Sequence, residues 1–429
     1  MGGGGPTTAE RPSDDGSRPL VVRVVASLTG PDVAADATFV DGIELGRRVV
    51  NRRGGVGGVP LEVTTADDQS EPDSTVRFIR QAVGDPATAA VLVVGDGPSV
   101  ARARPAIEGA RTPVVLLRGD LYSERGLFRE VFQTSIPLRW QAAVLARYLV
   151  VDRGYDRVAF GTEIPETFGY RPESPAERAM REAMLEEGDH PWQSFGLEPD
   201  FGTGGARQDL RPADAVAYVG GARVLARLSR SLGGLDDPPQ LAAWAEALQS
   251  SFAEANPPPG TVAPYAYTWA GWAEPIRRVA AFRELCRRVL GHPPAGFEQE
   301  GYDAVRVLAD ALERTRGRGG DPLVRALEGT EATYSSLPIS LGPDDHLFLS
   351  DRQLGLFAVA GPREQVEPWA PAWAPWRPVM RTFTANGERT TVLDQDKRVF
   401  FPRWRSPHPA PDFWTSRYGI TTRRGDPLH

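Results

Sequence analysis

VVRVVASLTG (residues 21–30), DATFVDGIELGRRVVNRR (36–53), VPLEVTTADDQS (59–70), DSTVRFIRQAVGD (73–85) and AAVLVVGDGPS (89–99) decide the fold. The first is an apolar run closing on small polar residues, as a buried strand does. The second recurs at helical spacing, with Phe39, Val40, Ile43, Val49 and Val50 on one apolar side and Leu45 off it. GGVGG (54–58) breaks that helix. A second strand, a second helix and a third strand follow. This order, with short connections, predicts an α/β unit with a parallel sheet and right-handed crossovers. Ligands of such sheets bind beyond the carboxyl ends of the strands. Here those ends are Ser27–Gly30, Asp67–Ser70 and Gly95–Ser99, with Gly97 inside the last.

The alternation continues outward. VARARPAIEGA (100–110) reads as a short helix and TPVVLLRGD (112–120) as a fourth strand. A boundary between two units falls near Pro137, after EVFQTS (130–135). LRWQAAVLARYLVVDRGY (138–155) is helical by spacing. Strands are expected at DRVAFGT (156–162), around SFGL (194–197), at DAVAYVGG (214–221) and at PQLAAW (239–244). Helices are expected at 174–188, 223–234 and 245–256. NPPPGTVAPY (256–265) marks a return crossing, and amphipathic helices follow at 273–291 and 298–317. A short helix covers 322–330, and 339–361 has hairpin character. Beyond Gly361, WAPAWAPWRP (369–378) and FFPRWRSPHPAPDFW (400–414) are too rich in proline for regular helix and read as a surface wrap, with a clamp across the units or a partner contact as alternatives.

A chain of 429 residues accommodates two or three compact units. Its 41% hydrophobic and 24% charged content is that of a globular protein, and a net charge of -7 argues against a nucleic-acid binder. Lys397 is the only lysine, which with abundant Ala, Gly and Pro suggests a GC-rich coding sequence. Cys286, alone on the apolar side of FRELCRRVL, excludes an intrachain disulfide and reads as a buried thiol. No apolar run reaches the roughly 18 residues of a membrane span. Residues 1–19 lack the basic and apolar regions of a signal peptide and read as a flexible tether.

Enzyme chemistry finds little support. GGVGG lies after a helix and before a strand, the reverse of a dinucleotide loop. His190, His292, His346, His408 and His429 lack metal-ligand spacing, and no G-x-S-x-G elbow occurs. Asp67 and Asp68 are a carboxylate pair without a nucleophile nearby, and read as turn or cap residues. Ser99 can cap the following helix, or turn its hydroxyl to the cleft beside the positive helix end. Thr29 and Gly30 occupy the first strand–helix turn.

SLTGPDVAADATFVDGIELGRRVVNRRGGVGGVPLEVTTADDQSEP (27–72), GDGPS (95–99), GYDRVAF (154–160) and PPAGFEQEGYDAVRVLADALE (293–313) together resemble the branched-chain amino-acid type of solute-binding protein. The resemblance spans roughly residues 20 to 360. It implies a type I periplasmic-binding fold: two doubly wound α/β lobes with parallel sheets, joined by three crossing strands and closing on a small solute. Lobe 1 would take 20–137 and 263–345, lobe 2 would take 138–262 and 346–360, and 361–429 would form a Trp/Pro-rich extension.

The resemblance also implies a role without catalysis, cofactor or metal: delivery of an amino acid or related acid or amide to an ABC permease. It puts Ser99 against the ligand, Asp120 or Leu121 where a second hydroxyl residue usually stands, and Ala222 or Arg223 where a tyrosine usually stands. Glu246 falls where a glutamate usually pairs with an ammonium, and Ala35 near the place of an aromatic. These departures favour a solute other than a branched-chain amino acid. An extracytoplasmic location follows, with GGGGPTTAERPSDDGS (2–17) as the linker of a mature lipoprotein in which Met1 replaces the lipidated cysteine. With Met1 as the true start, the alternative is a cytoplasmic ligand sensor regulating a partner through its tail.

Overall fold

The computed structural model describes residues 19–163, 175–188, 192–197, 213–219, 222–244, 261–266, 273–335, 338–349, 354–359, 376–380, 391–394 and 399–402. The chain begins β1 (Leu20–Ala26), α1 (Val33–Arg52), β2 (Leu61–Asp67), α2 (Pro72–Gly84), β3 (Thr88–Val94), α3 (Gly97–Ala110), β4 (Val114–Arg118), α4 (Tyr122–Arg125) and β5 (Val131–Gln133). It continues with α5 (Leu138–Arg147), a π-helical turn at Tyr148–Asp152, β6 (Val158–Glu163), α6 (Pro175–Glu187), β7 (Trp192–Leu197), β8 (Ala215–Val219), α7 (Ala222–Leu232), β9 (Gln240–Ala243) and β10 (Val262–Ala266). Then come α8 (Ala273–Leu290), α9 (Glu298–Thr315), α10 (Asp321–Glu328), β11 (Glu331–Thr333), β12 (Pro338–Ser340) and β13 (Leu354–Val359). The last strands are β14 (Trp376–Met380), β15 (Thr391–Asp394) and β16 (Val399–Pro402).

Two sheets organise these elements. The first runs β2-β1-β3-β4-β5, all parallel. The second runs β16-β15-β14-β13-β10-β9-β8-β6-β7, parallel from β7 to β10 and antiparallel from β13 outward. The strand β3 is buried at every position, the continuous apolar run that a sheet covered on both faces demands. Strand order reverses between β1 and β3, so their carboxyl ends open a crevice at a topological switch point.

The chain passes between the two sheets three times: from β5 to α5, from β10 to α8 and from β12 to β13. VAPY, read as part of a crossing, is instead strand β10 of the second sheet. The hairpin expected over 339–361 is split, because β12 pairs back to β11 while β13 joins β10. The tail does more than wrap a surface: β14 to β16 extend the second sheet, short β-prone runs such as TVLD and VFFP taking extended backbone. The helix expected at 245–256 and the tether at 1–18 lie outside the described residues.

Helix α1 buries two sides. Phe39, Ile43 and Val50 pack with the sheet and α9, while Leu45 and Val49 pack with Phe282, Cys286 and Val289 of α8. Leu45, read as off the apolar side, is therefore fully enclosed, because a helix distant in sequence covers it. Cys286 sits in that contact, and burial pushes its thiol up to about 12. The α1–α9 crossing is close because glycines line it. A Cβ on Gly46 would lie 2.7 Å from the Val305 Cβ, and one on Gly42 or Gly301 would strike the backbone of Glu298 or Phe39.

Candidate functional site

At the carboxyl end of β1, Ser27 turns its backbone N–H to Asp36 Oδ2 at 2.8 Å and its hydroxyl to Asp68 Oδ1 at 2.7 Å. Asp36, in the first turn of α1, is fully buried. Burial pushes its carboxyl up to about 6, against the pull of the Arg118 guanidinium at 2.9 Å. Arg118 ends β4 and also reaches Asp32 at 2.9 Å. One arginine thus joins the β4 end to the start of α1. Asp68 in turn accepts from the Thr75 hydroxyl at 2.7 Å and the Ser70 N–H at 3.1 Å.

Asp67, half-buried at the end of β2, closes the first turn from outside. It accepts from the Thr29 hydroxyl at 2.8 Å and from the N–H groups of Leu28, Thr29 and Gln69 at 2.9, 3.2 and 3.0 Å. The Thr29 hydroxyl, followed by those N–H groups, holds the Asp67 carboxyl below its ordinary range. Gly30, at φ +92°, brings this turn against its neighbour: a Cβ there would lie 2.6 Å from the Gln69 carbonyl oxygen. Its close approach is to the chain's own backbone.

At the end of β3 the cap of α3 is Asp96, whose Oδ1 accepts from the Ser99 N–H at 2.6 Å. Ser99, expected either to cap this helix or to face the cleft, does neither: it is fully buried with its hydroxyl 3.4 Å from the Pro72 carbonyl. Gly97 is buried against the Asp120 carbonyl, where any Cβ would collide. Asp120 is also enclosed. Its carboxylate accepts from Ser123 N–H at 3.1 Å, Gln133 Nε2 at 3.0 Å and Leu138 N–H at 2.6 Å, so it holds the start of α5 to the β4–α4 loop. Leu121 packs into the core beside Phe128 and Val131, 1% exposed. Of the first-unit candidates, only Thr29 presents its side chain to solvent. Arg223 lies in the first turn of α7, beyond the end of β8, and Glu246 lies outside the described residues.

Sequence reading missed three participants. Asp36 had a signal: it shares the apolar stripe of Phe39, Val40 and Ile43, where a carboxylate must find a partner. Arg118, that partner, had none within its own segment. Asp96 was signalled by Pro98, because proline at the second helical position puts the cap two residues before it. Among the described residues, no group of three or more His, Cys, Asp or Glu is placed to hold a metal ion, and no helix is long and apolar enough to cross a membrane.

Comparison with known proteins adds to this geometry. The sequence model of a family described as periplasmic binding protein matches residues 20–354. A Leu/Ile/Val-binding protein homolog 3 of Brucella melitensis is 29% identical over 157 residues, covering 35% of this chain and 42% of that protein. A periplasmic binding protein type 1 from Bordetella pertussis superposes with a TM-score of 0.69 at 17% identity, over 84% of this chain and all of that one. The solute-binding protein of an ABC transporter from Rhodopseudomonas palustris, solved in complex with 3,4-dihydroxybenzoic acid, gives a TM-score of 0.65 at 19% identity, over 81% and 94%. These two structures share the fold.

Proposed function

The chain belongs to the periplasmic binding protein family, and from that premise we propose that it captures a small polar metabolite between its two α/β units and presents it to the membrane subunits of an ABC permease. The observation that carries this reading is the crevice at the β1/β3 switch point, faced by the exposed turn of Thr29 and by Asp96. Three chain passages between the sheets supply a hinge. Thr29 contributes from the first unit, and the start of α7 with Arg223 and the segment bearing Glu246 contribute from the second. The solute is bound and released unaltered, in an extracytoplasmic compartment.

Micromolar capture requires about 8 kcal/mol. No single turn supplies that, so both units must close on the solute. The test is a thermal-shift panel of amino acids, amides, amines, short acids and aromatic acids, with small-angle scattering on each hit. A solute at 100 times its Kd stabilises the folded chain by about 2.7 kcal/mol. A true hit raises the melting point and shrinks the radius of gyration. A panel that leaves both unchanged refutes the reading.

A further inference from the structure

A side chain lies across the crevice at the β1/β3 switch point. Arg118 ends β4 and is paired there with Val94, the last residue of β3. In the sheet β3 separates β4 from β1, and α1 follows β1. The Arg118 arm therefore crosses the carboxyl end of β3 to reach Asp36 and Asp32, each at 2.9 Å. Neighbouring strands lie about 4.8 Å apart, so β1 is about 10 Å from β4, a span that an arginine and the first turn of a helix bridge together.

The far end of this arm is fastened to a buried charge. Asp36 is fully buried; its Oδ2 accepts from the Ser27 N–H at 2.8 Å, while its Oδ1 forms the ion pair with Arg118 Nε. A proton on this carboxyl removes the charge that holds the guanidinium. On Oδ1, the oxygen that Ser27 does not engage, it also sets a donor against a donor. Burial pushes the carboxyl up to about 6. The Arg118 guanidinium and the Ser27 N–H pull it down, and the charges of Asp32 at the start of α1 and Asp68 at the end of β2 push it up.

We infer that Arg118 is a strap across the crevice, fastened to α1 at neutral pH and unfastened in acid by protonation of Asp36. The inference rests on the proposed function for its use, since the strap lies where that reading puts the solute. Unfastened from Asp36, Arg118 keeps Asp32, whose side chain is 42% exposed, and the guanidinium swings outward with it from the end of β3.

The experiment uses the full chain without a solute. The Nε–H resonance of Arg118, identified by its loss in R118Q, is followed between about pH 5 and 8. In the wild type it moves along one titration curve with a midpoint at about 6. In D36N, which is uncharged and turns an amide N–H to the guanidinium, the resonance keeps its acid position at every pH. Amide exchange reads the same event in the first turn of α1, where the N–H groups of residues 35 and 36 bond the Asp32 carbonyl. Corrected for the intrinsic pH dependence of exchange, protection there falls about tenfold from the neutral to the acid end in the wild type. In D36N and R118Q it is low throughout. An Arg118 resonance that stays in place in the wild type, or one that still titrates in D36N, overturns the inference. So does first-turn protection that R118Q leaves unchanged. Should D36N fail to fold, the wild-type titration and R118Q decide. A solute panel without hits refutes the proposed function and leaves these readings intact, whereas a fixed Arg118 resonance refutes the strap and leaves the function standing.

Discussion

The rim at the carboxyl ends of β1 to β4 and the joint at β5 are built from the same interaction, an aspartate gathering backbone N–H groups. They differ in burial. At the rim, Asp67 is half-buried and Asp96 exposed, and Asp96 uses only Oδ1 in its cap. At the joint, Asp120 and Gln133 are enclosed. Gln133 Oε1 accepts from Leu121 and Tyr122 N–H at 3.0 and 3.2 Å, while its Nε2 donates to Asp120 and to the Ser135 carbonyl. Its own backbone pairs with His346 and Phe348 of the third passage, at 3.0 and 2.9 Å. One arrangement reaches the surface. The other ties the first and third passages together and is closed.

That contrast is broken most forcefully at Asp120. Asp120→Ala removes the acceptor of the part-buried Ser123 and Leu138 N–H groups and one of the two acceptors of the buried Gln133 Nε2, which keeps the Ser135 carbonyl. An unsatisfied buried group costs about 1–3 kcal/mol, and with two donors part-buried and the third still bonded the loss falls on the order of 3 kcal/mol. Urea denaturation checks this. A loss below about 1 kcal/mol would mean that the joint carries little of the fold.

Titration sharpens the same contrast, because the half-buried Asp67 and the enclosed carboxylates move in opposite directions. Asp67 is held below its ordinary range, whereas burial pushes Asp36 up to about 6 and Asp303, bonded to the Ser335 N–H and hydroxyl, up to about 7. A carboxyl that binds its proton more tightly folded than unfolded stabilises fully below the ordinary value of 3.8. Asp303 therefore loses that contribution as the pH rises toward about 7. Asp303→Asn removes its share, on the order of 2 kcal/mol over that window. Melting points measured across the window should fall less steeply in the variant. Parallel curves would place the titration elsewhere.

Legibility in the sequence follows the range of the forces involved. The strands β3 and β4 were readable because a covered parallel strand is apolar at nearly every position, a property of each segment alone. The family resemblance was readable for the same reason, since its motifs are contiguous. Leu45 was misjudged because the helix that covers it lies more than 200 residues away in sequence. Asp120 was given to the cleft because its neighbours fix only its position after β4. Whether it points inward depends on β5 and α5 docking around it. Ser99 and Asp96 are both good caps three residues apart, and only Pro98 between them told which one caps.

The smallest effect is the most telling about the rim. If Asp96 serves the fold only as the cap of α3, Asp96→Asn should change stability by no more than a few tenths of a kcal/mol, since asparagine caps about as well. Asp96→Ala, which leaves the Ser99 N–H without its acceptor, should cost about 1 kcal/mol. Urea midpoints of the two variants against the wild type read both. A cost for Asp96→Asn equal to that for Asp96→Ala would mean that the charge itself holds α3. The carboxylate would then be a structural fixture like Asp120, and the difference in burial between rim and joint would no longer mark a difference in role.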